Sequence, residues 1–515
     1  MAYAKTYSVA LVGINGHIIE VEADISQALP SFILLGLPDT SLSEAKDRIR
    51  SAVKNSGMSL AQRKITVNLS PATLPKRGSA FDLAMAVAAL TADQKIRSSS
   101  NTVFLGELGL DGSVRRIPGV LPSVKAAIEA GFSHIVVPEE NAQEAQLIPG
   151  AHITACRSLA QVLTFLGADP TTLKESAQTP PKEHHNTTAT PQLTADMADI
   201  AGQTEGRLAL EIAAAGGHHL LLKGPPGSGK TMLAERITSI LPPLDDVSAM
   251  EVTAIHSLDM GEKPCQELIR TPPFQAPHHS ASTASILGGG SGIPRPGSIS
   301  KAHRGVLFLD ETPEFKRTVL DSLRQPLESG HITLHRATAT ATYPARFQLI
   351  LAANPCPCGN NIGQGLDCRC TSKERRNYFG KLSGPLLDRI DIHITIPKIL
   401  SRELVHHQKP ENSATISQRV QQARNLQKER LSPYGLLTNA DMNVQLLRDT
   451  FKLDTRLTTG LNHAMDQGNL SARGYDRILR TAWTLADLDG ATSPTTEHID
   501  TALYFRHLSQ EPFTT

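Results

Sequence analysis

The stretch HHLLLKGPPGSGKTMLAERI, residues 218–237, constrains this chain more than any other. An apolar run leads into a loop rich in Gly and Pro, and a helical pattern begins at Thr231. An unbroken apolar run marks a strand covered on both faces, as in a parallel sheet flanked by helices. The loop Gly224, Pro225, Pro226, Gly227, Ser228, Gly229, Lys230, Thr231 fits the phosphate-loop pattern, with a strand before it and a helix after it. Backbone N–H groups of such a loop turn inward around phosphates. Lys230 then supplies a point charge for the outer phosphates and Thr231 a hydroxyl for Mg²⁺.

Two further apolar runs complete a nucleotide site. GVLFLDE (305–311) ends in Asp310, placed to hold Mg²⁺ through water, and Glu311, placed to polarise an attacking water. QLILAAN (348–354) ends in Asn354. Ligands of a parallel sheet sit at the carboxyl ends of its strands, so Lys230, Asp310 and Asn354 are expected on one rim. Asn354 then either bonds the γ-phosphate or its water, or forms an Asx-turn before Pro355.

Around this centre the chain divides into four. Residues 1–170 alternate strands and helices in an α+β pattern, opening with a hairpin signalled by Asn-Gly at 15–16. Residues 171–194, rich in Thr and Pro and without periodicity, read as a solvated linker, the alternative being a loop packed on a neighbouring domain. Residues 195–397 carry the α/β nucleotide core, and 398–515 are helical throughout.

The residues GPPGSGKT, GVLFLDE, LAANPCPCG and GPLLDRIDIHI resemble the magnesium-chelatase-like branch of the AAA+ ATPases, and essentially the whole chain resembles the YifB/ComM family. The resemblance implies ATP as ligand, Mg²⁺ as cofactor, and a homo-oligomeric, hexameric ring with each ATP at a subunit interface. It makes Arg389, in LLDRIDI, the arginine finger reaching a neighbour's ATP, and Arg473, in LSARGYDRIL, the second sensor on a helical lid. A guanidinium fork suits the charge that develops on a transferred phosphoryl group. An ion pair of Arg389 with Asp388 or Asp391, and a surface or capping role for Arg473, are the other readings.

Two insertions, SILGGGSGIPRPGSISKAHRG and the hairpin-like SGHITLHRATATATYPARF, are similar to pore-lining inserts of this clade. Arg295, Lys301, His335 and Arg336 are therefore the candidates for contact with a threaded DNA backbone, a solvated charged turn being the alternative for each. Cys356, Cys358, Cys368 and Cys370 read CPC-x9-CxC, two close thiol pairs that suit a tetrahedral Zn²⁺, or else four reduced bystanders. His278 and His279 are read as hydrogen-bonding groups near the nucleotide, not ligands.

LPKRGSAFDLAMAVAAL and GELGLDGSVRRIPGVLPSVKAA resemble the Lon protease-like fold of the ribosomal S5 superfamily. The register puts Ala80 at the nucleophile position and Leu121 where the Lys belongs, with Ser79 and Lys125 out of register. Without the dyad the first domain is expected to be non-proteolytic.

Composition narrows the rest. With 51 Lys+Arg against 50 Asp+Glu no global field marks a nucleic-acid binder, so any DNA contact falls to local basic loops. Nothing approaches the roughly 20 apolar residues of a membrane span, and the first apolar run is too broken for a signal peptide, so a cytoplasmic protein with no membrane partner is expected. The resemblance then implies an ATP-driven motor and branch-migration helicase acting on forked, branched or single-stranded DNA during natural transformation. The alternative is a magnesium-chelatase-type motor subunit with partner subunits.

Overall fold

Buried strands decide the architecture twice over. In a computed structural model of the chain, residues 2–36, 39–74, 76, 78–175, 195–259, 264–290, 294–336, 339–361, 366–398 and 410–507 are described. Most of the proposed linker, from 176 onward, lies outside them.

The N-terminal part is a seven-stranded mixed sheet in the order Ser31–Leu35, Lys64–Ser70, Asn15–Ser26, Ala2–Val12, Thr102–Phe104, His134–Pro138, His152–Cys156. Its side chains alternate between two cores, as the period of two requires. Phe104 and Val136 face the helices Asp39–Asn55 and Asp82–Ala92, the second buried at every residue. Val103, Ile135 and Val137 face the helix Val120–Glu129 on the other side. The first hairpin forms with Val12 paired to Asn15, so its turn is Gly13-Ile14 and not the Asn-Gly expected two residues on. Gly13 supplies the left-handed φ of +68° that such a two-residue turn needs at its first position.

The second sheet is five-stranded and wholly parallel, in the order Phe274–Gln275, Val306–Leu309, Gln348–Ala353, Leu220–Lys223, Ile392–Thr395. Runs that are uniformly apolar in sequence alternate here between two different cores. Leu220, Leu222, Phe308, Ile350 and Ile394 pack with the helices Thr204–Gly216, Ser413–Leu431, Ala472–Leu488 and Thr496–His507. Leu221, Leu307, Leu309 and Leu351 pack with the inserted segment 283–302 and with the hairpin His331–Arg336/Ala339–Pro344. No helix among the described residues is long and apolar enough to cross a membrane.

The two sheets are joined through the helix Asp246–Ser257. Ala254 enters the core of Val120, Leu121 and Val124, and the Gly119 N–H donates to Ser257 O at 2.8 Å. The Ser257 hydroxyl donates to Glu144, a buried carboxylate that also accepts from Asn141 Nδ2 at 3.3 Å. Burial pushes the Glu144 carboxyl up. A second touch lies at the hairpin turn: Gly13 sits against the Thr342 carbonyl, and Ile14 packs on the core beneath the inserted hairpin.

Candidate functional site

The interior position of Leu220–Lys223, between Gln348–Ala353 and Ile392–Thr395, fixes the site. Its register sets Lys223 beside Ala353, and Leu309 beside Leu351, so the three following loops leave the sheet along one rim. The Thr312 hydroxyl, donating to Leu309 O at 2.7 Å and Ala352 O at 3.0 Å, ties two of the strand ends together. Gly227 and Gly229 hold left-handed φ values of +73° and +86°, which bends the loop back toward the helix Lys230–Arg236.

Within the rim, Lys230 Nζ donates to Gly224 O at 2.9 Å, Pro225 O at 2.8 Å and Asn354 Oδ1 at 3.1 Å. Burial lowers the Lys230 pKa, and the charges of Asp310 and Glu311 oppose that shift. Asn354 thus bonds the phosphate-loop lysine. Thr231 Oγ1 donates to Asp310 Oδ2 at 2.6 Å, and the Glu311 N–H donates to Asp310 Oδ1 at 2.8 Å. A hydroxyl and a carboxylate in contact at a phosphate loop are the oxygen donor set Mg²⁺ takes, with substrate phosphates supplying the remaining positions. The residues fit that ion.

Glu311 sits at φ +48°, an uncommon conformation for a residue with a side chain. Its Oε2 lies 3.2 Å from His279 Nδ1. His279 lies against His278 in a tilted pair, 4.1 Å between ring centroids, and meets Phe315 edge-on. This places the histidine pair beside the acidic strand end. Sequence offers no signal for Gln203, which reaches the phosphate loop through Nε2 to Ser228 O at 3.2 Å and to Pro397 O at 2.9 Å.

The cysteine loop begins directly after Asn354. The Sγ atoms of Cys356, Cys358, Cys368 and Cys370 lie within 4.8 Å of one another. Cys356 is 3.3 Å from Cys358 and 3.6 Å from Cys368, and Cys358 is 3.7 Å from Cys368. These separations exceed the roughly 2.05 Å of a disulfide. They approach the roughly 3.8 Å between thiolates set tetrahedrally at about 2.3 Å from zinc. Burial pushes the Cys356 thiol up to about 12, whereas the backbone N–H groups of Asn360 and Arg369 draw Cys358 down to about 6. A set mixing one thiol reluctant to ionise with one already prone to it suits a cation that finishes the deprotonation. Gly359 presses on Pro226, where a Cβ would come within 2.5 Å of the ring. The loop therefore forms part of the wall of the phosphate site.

Arg389 lies elsewhere. The Asp391 and Ile392 N–H groups both donate to His219 O, at 3.1 and 3.0 Å, and Ile392 pairs with Leu220. Arg389 thus stands at the amino edge of the sheet, about 13 Å (four residues of strand) from the rim that carries Lys230. Its ion partner is Glu328, not Asp388 or Asp391. Asp391 is engaged by Arg477, whose Nε also donates to Asp388 O at 2.7 Å. Burial would raise the Asp391 pKa, but Arg477, His218 and His219 hold it well below the usual range. Arg473, one turn before Arg477 on the same helix, is exposed.

Of the candidate DNA contacts, Arg295 lies on the ribbon Gly288–Gly289/Arg295–Pro296, and His335 and Arg336 on the neighbouring hairpin. All three are exposed. The Tyr343 hydroxyl, donating to Pro294 O at 2.5 Å, holds ribbon and hairpin together. Lys301 separates from this group: its ammonium is paired with Asp259 and mostly covered, so it faces the fold and not a passing phosphate. In the N-terminal part the Ser79 hydroxyl donates to Glu107, while Lys125 is exposed near Glu129 at 3.9 Å. Among the described residues no Ser–Lys hydrogen bond joins them. Lys76 is buried and donates to Pro71 O.

Three family descriptions match the chain: "Magnesium chelatase, subunit ChlI" over 196–404, "Subunit ChlI of Mg-chelatase" over 21–141, and "Magnesium chelatase, subunit ChlI C-terminal" over 410–506. Among curated relatives, an uncharacterized protein of Mycobacterium tuberculosis is 48% identical over 98% of this chain and 99% of its own length. YifB of Escherichia coli is 42% identical over 99% of this chain and 98% of its own. Competence protein ComM of Haemophilus influenzae is 39% identical over 98% of each.

Proposed function

The chain belongs to the YifB/ComM family of magnesium-chelatase-like AAA+ proteins, and from that membership we propose that it is an ATP-hydrolysing motor that assembles as a hexameric ring and works on DNA. The observation that carries the proposal is the separation of Arg389 from its own nucleotide rim. Lys230, Thr231, Asp310, Glu311 and Asn354 supply everything a triphosphate needs except a cation for the charge that develops in the transition state. Arg389, at the amino edge, suits that task at a neighbour's site. Arg473, exposed on the helix whose Arg477 bonds Asp388 O, is assigned the second-sensor role.

In this reading Lys230 orients the outer phosphates, and Asn354, bonded to Lys230, positions the γ-phosphate or its water. Glu311 takes the proton of the attacking water. Thr231 and Asp310 would hold Mg²⁺, which when bound supplies charge neutralisation on the phosphates. Arg295, His335 and Arg336 are assigned to the phosphate backbone of DNA, and the four cysteines to structural Zn²⁺. The first part of the chain is read as Lon-like and non-proteolytic, and the helices after 410 as the lid. The name of the competence relative favours a role in competence, and branch migration of recombination intermediates is the activity we assign within it. The family descriptions alone would equally suit a chelatase-type motor with partner subunits. The deciding experiment measures ATP turnover against single-stranded, duplex and forked DNA, together with displacement of a labelled strand from the fork and particle mass. Turnover indifferent to every DNA, with no displacement, rejects the DNA motor.

A further inference from the structure

We infer that Glu328 is a positioning residue that holds Arg389 retracted, and that a neighbouring subunit's nucleotide must displace the Glu328 carboxylate to engage the guanidinium. The inference rests on the reading above, that Arg389 serves a neighbour's site.

The Arg389 side chain is nine-tenths buried. One terminal nitrogen donates to Pro385 O, the other to the Glu328 carboxylate, and Nε is buried without a partner. A finger held this way is anchored at one point by charge and otherwise incompletely satisfied. The other carboxylates nearby do not compete, because Asp391 belongs to Arg477. Carboxylate and phosphate oxygens use the same guanidinium fork, so Glu328 and a γ-phosphate exclude each other on the Arg389 nitrogen they share. Glu328, unlike Arg389, has a side chain 59% exposed, so the pair is breakable from the solvent side.

The position of Glu328 in the chain gives the pair a second meaning. It lies on the helix Arg324–Ser329, which ends at Gly330 in a left-handed conformation, and the inserted hairpin starts at His331. Only Ser329 and Gly330 separate Glu328 from the hairpin that carries His335 and Arg336. Force on the hairpin therefore reaches Glu328 through one glycine, and through Glu328 the neighbour's ATP. Sequence gives no hint of this pair, whose members stand 61 residues apart.

The test compares ATP turnover of wild type, Glu328→Gln, Arg389→Ala and the double variant, each with and without a forked duplex, alongside melting curves. Glu328→Gln should raise turnover without DNA roughly two- to fivefold, the worth of a half-exposed ion pair. It should leave KM for ATP unchanged, melt like wild type and reduce the stimulation by the fork. The double variant should be as inactive as Arg389→Ala. Turnover of Glu328→Gln at or below wild type, with Arg389→Ala inactive, overturns the inference while leaving the finger in place. Wild-type turnover by Arg389→Ala overturns the reading beneath it.

Discussion

Lys230 makes three hydrogen bonds inside the protein, two to its own loop and one to Asn354. Replacing it by Ala removes the charge for the phosphates and also leaves three acceptors without their donor. Lys230→Ala is therefore expected to lose nucleotide binding or turnover outright, as read by fluorescent-nucleotide titration and phosphate release. Glu311 differs in kind. Its backbone, which bonds Asp310 and Glu314, sits in an uncommon conformation that a substitution to Gln leaves in place, while its carboxylate leans on His279. Glu311→Gln should keep ATP bound and lower turnover by at least about a hundredfold, the usual worth of a positioned general base. A variant that neither binds nor hydrolyses would move Glu311 from chemistry to structure.

Among the elements, the helix Asp246–Ser257 is attached at two points. At one end it bonds the N-terminal part through Ser257. In its middle Glu251 accepts from His303 Nε2 at 3.0 Å and Arg304 Nε at 3.2 Å, ahead of the acidic strand. The His303 N–H, with Arg304 adding to it, holds Glu251 down to about 2 against burial, from an ordinary 4.5. A depressed carboxylate contributes stability that is present above its unfolded value and lost as pH falls through the folded one. The melting temperature should therefore drop as pH falls from about 4.5 toward 2, and Glu251→Gln should flatten that slope while lowering stability at neutral pH. The cysteine loop makes a separate prediction. Protein purified without chelator should release one zinc per chain on thiol modification, and Cys368→Ser should lose the metal and weaken nucleotide binding through Gly359 and Pro226. Metal-free protein with unaltered nucleotide affinity would reject both halves.

What the sequence makes legible at this scale is whatever local chemistry settles. Strands ending in Asp310 and Asn354 are readable because a buried strand shows its length as an apolar run. The alternation of Leu220, Leu221 and Leu222 between two cores is not, because both cores accept leucine. The Asn-Gly at 15–16 is the stronger turn signal by composition, yet eleven paired residues on either side set the register and put the turn at Gly13. Long-range ion pairs escape altogether. Nothing near Lys301 announces Asp259, and nothing near Arg389 announces Glu328.

For the whole molecule, the proposed ring would use the opposition of rim and amino edge to make each chain a donor at one end and an acceptor at the other. Arg389→Ala and Glu311→Gln damage different halves of the site. A mixture should regain part of the wild-type turnover, peaking near equal proportions, since some interfaces then join an intact rim to an intact finger. Failure to regain turnover at any ratio would place both residues in one subunit's site. The N-terminal part rides on the same body, docked through Ser257 and Glu144 and touching the inserted hairpin at Gly13. That hairpin is therefore contacted on both sides, by the helix of Glu328 and by the first sheet.

On the proposed reading, the placing of Arg389 also fixes a count. An open arc of n chains owns n−1 complete sites, and only closure supplies the last. Turnover per chain should rise from zero for a lone chain to half for a pair, and reach its limit only when the two free ends meet. Catalytic rate, followed against dilution, then measures whether the circle is shut.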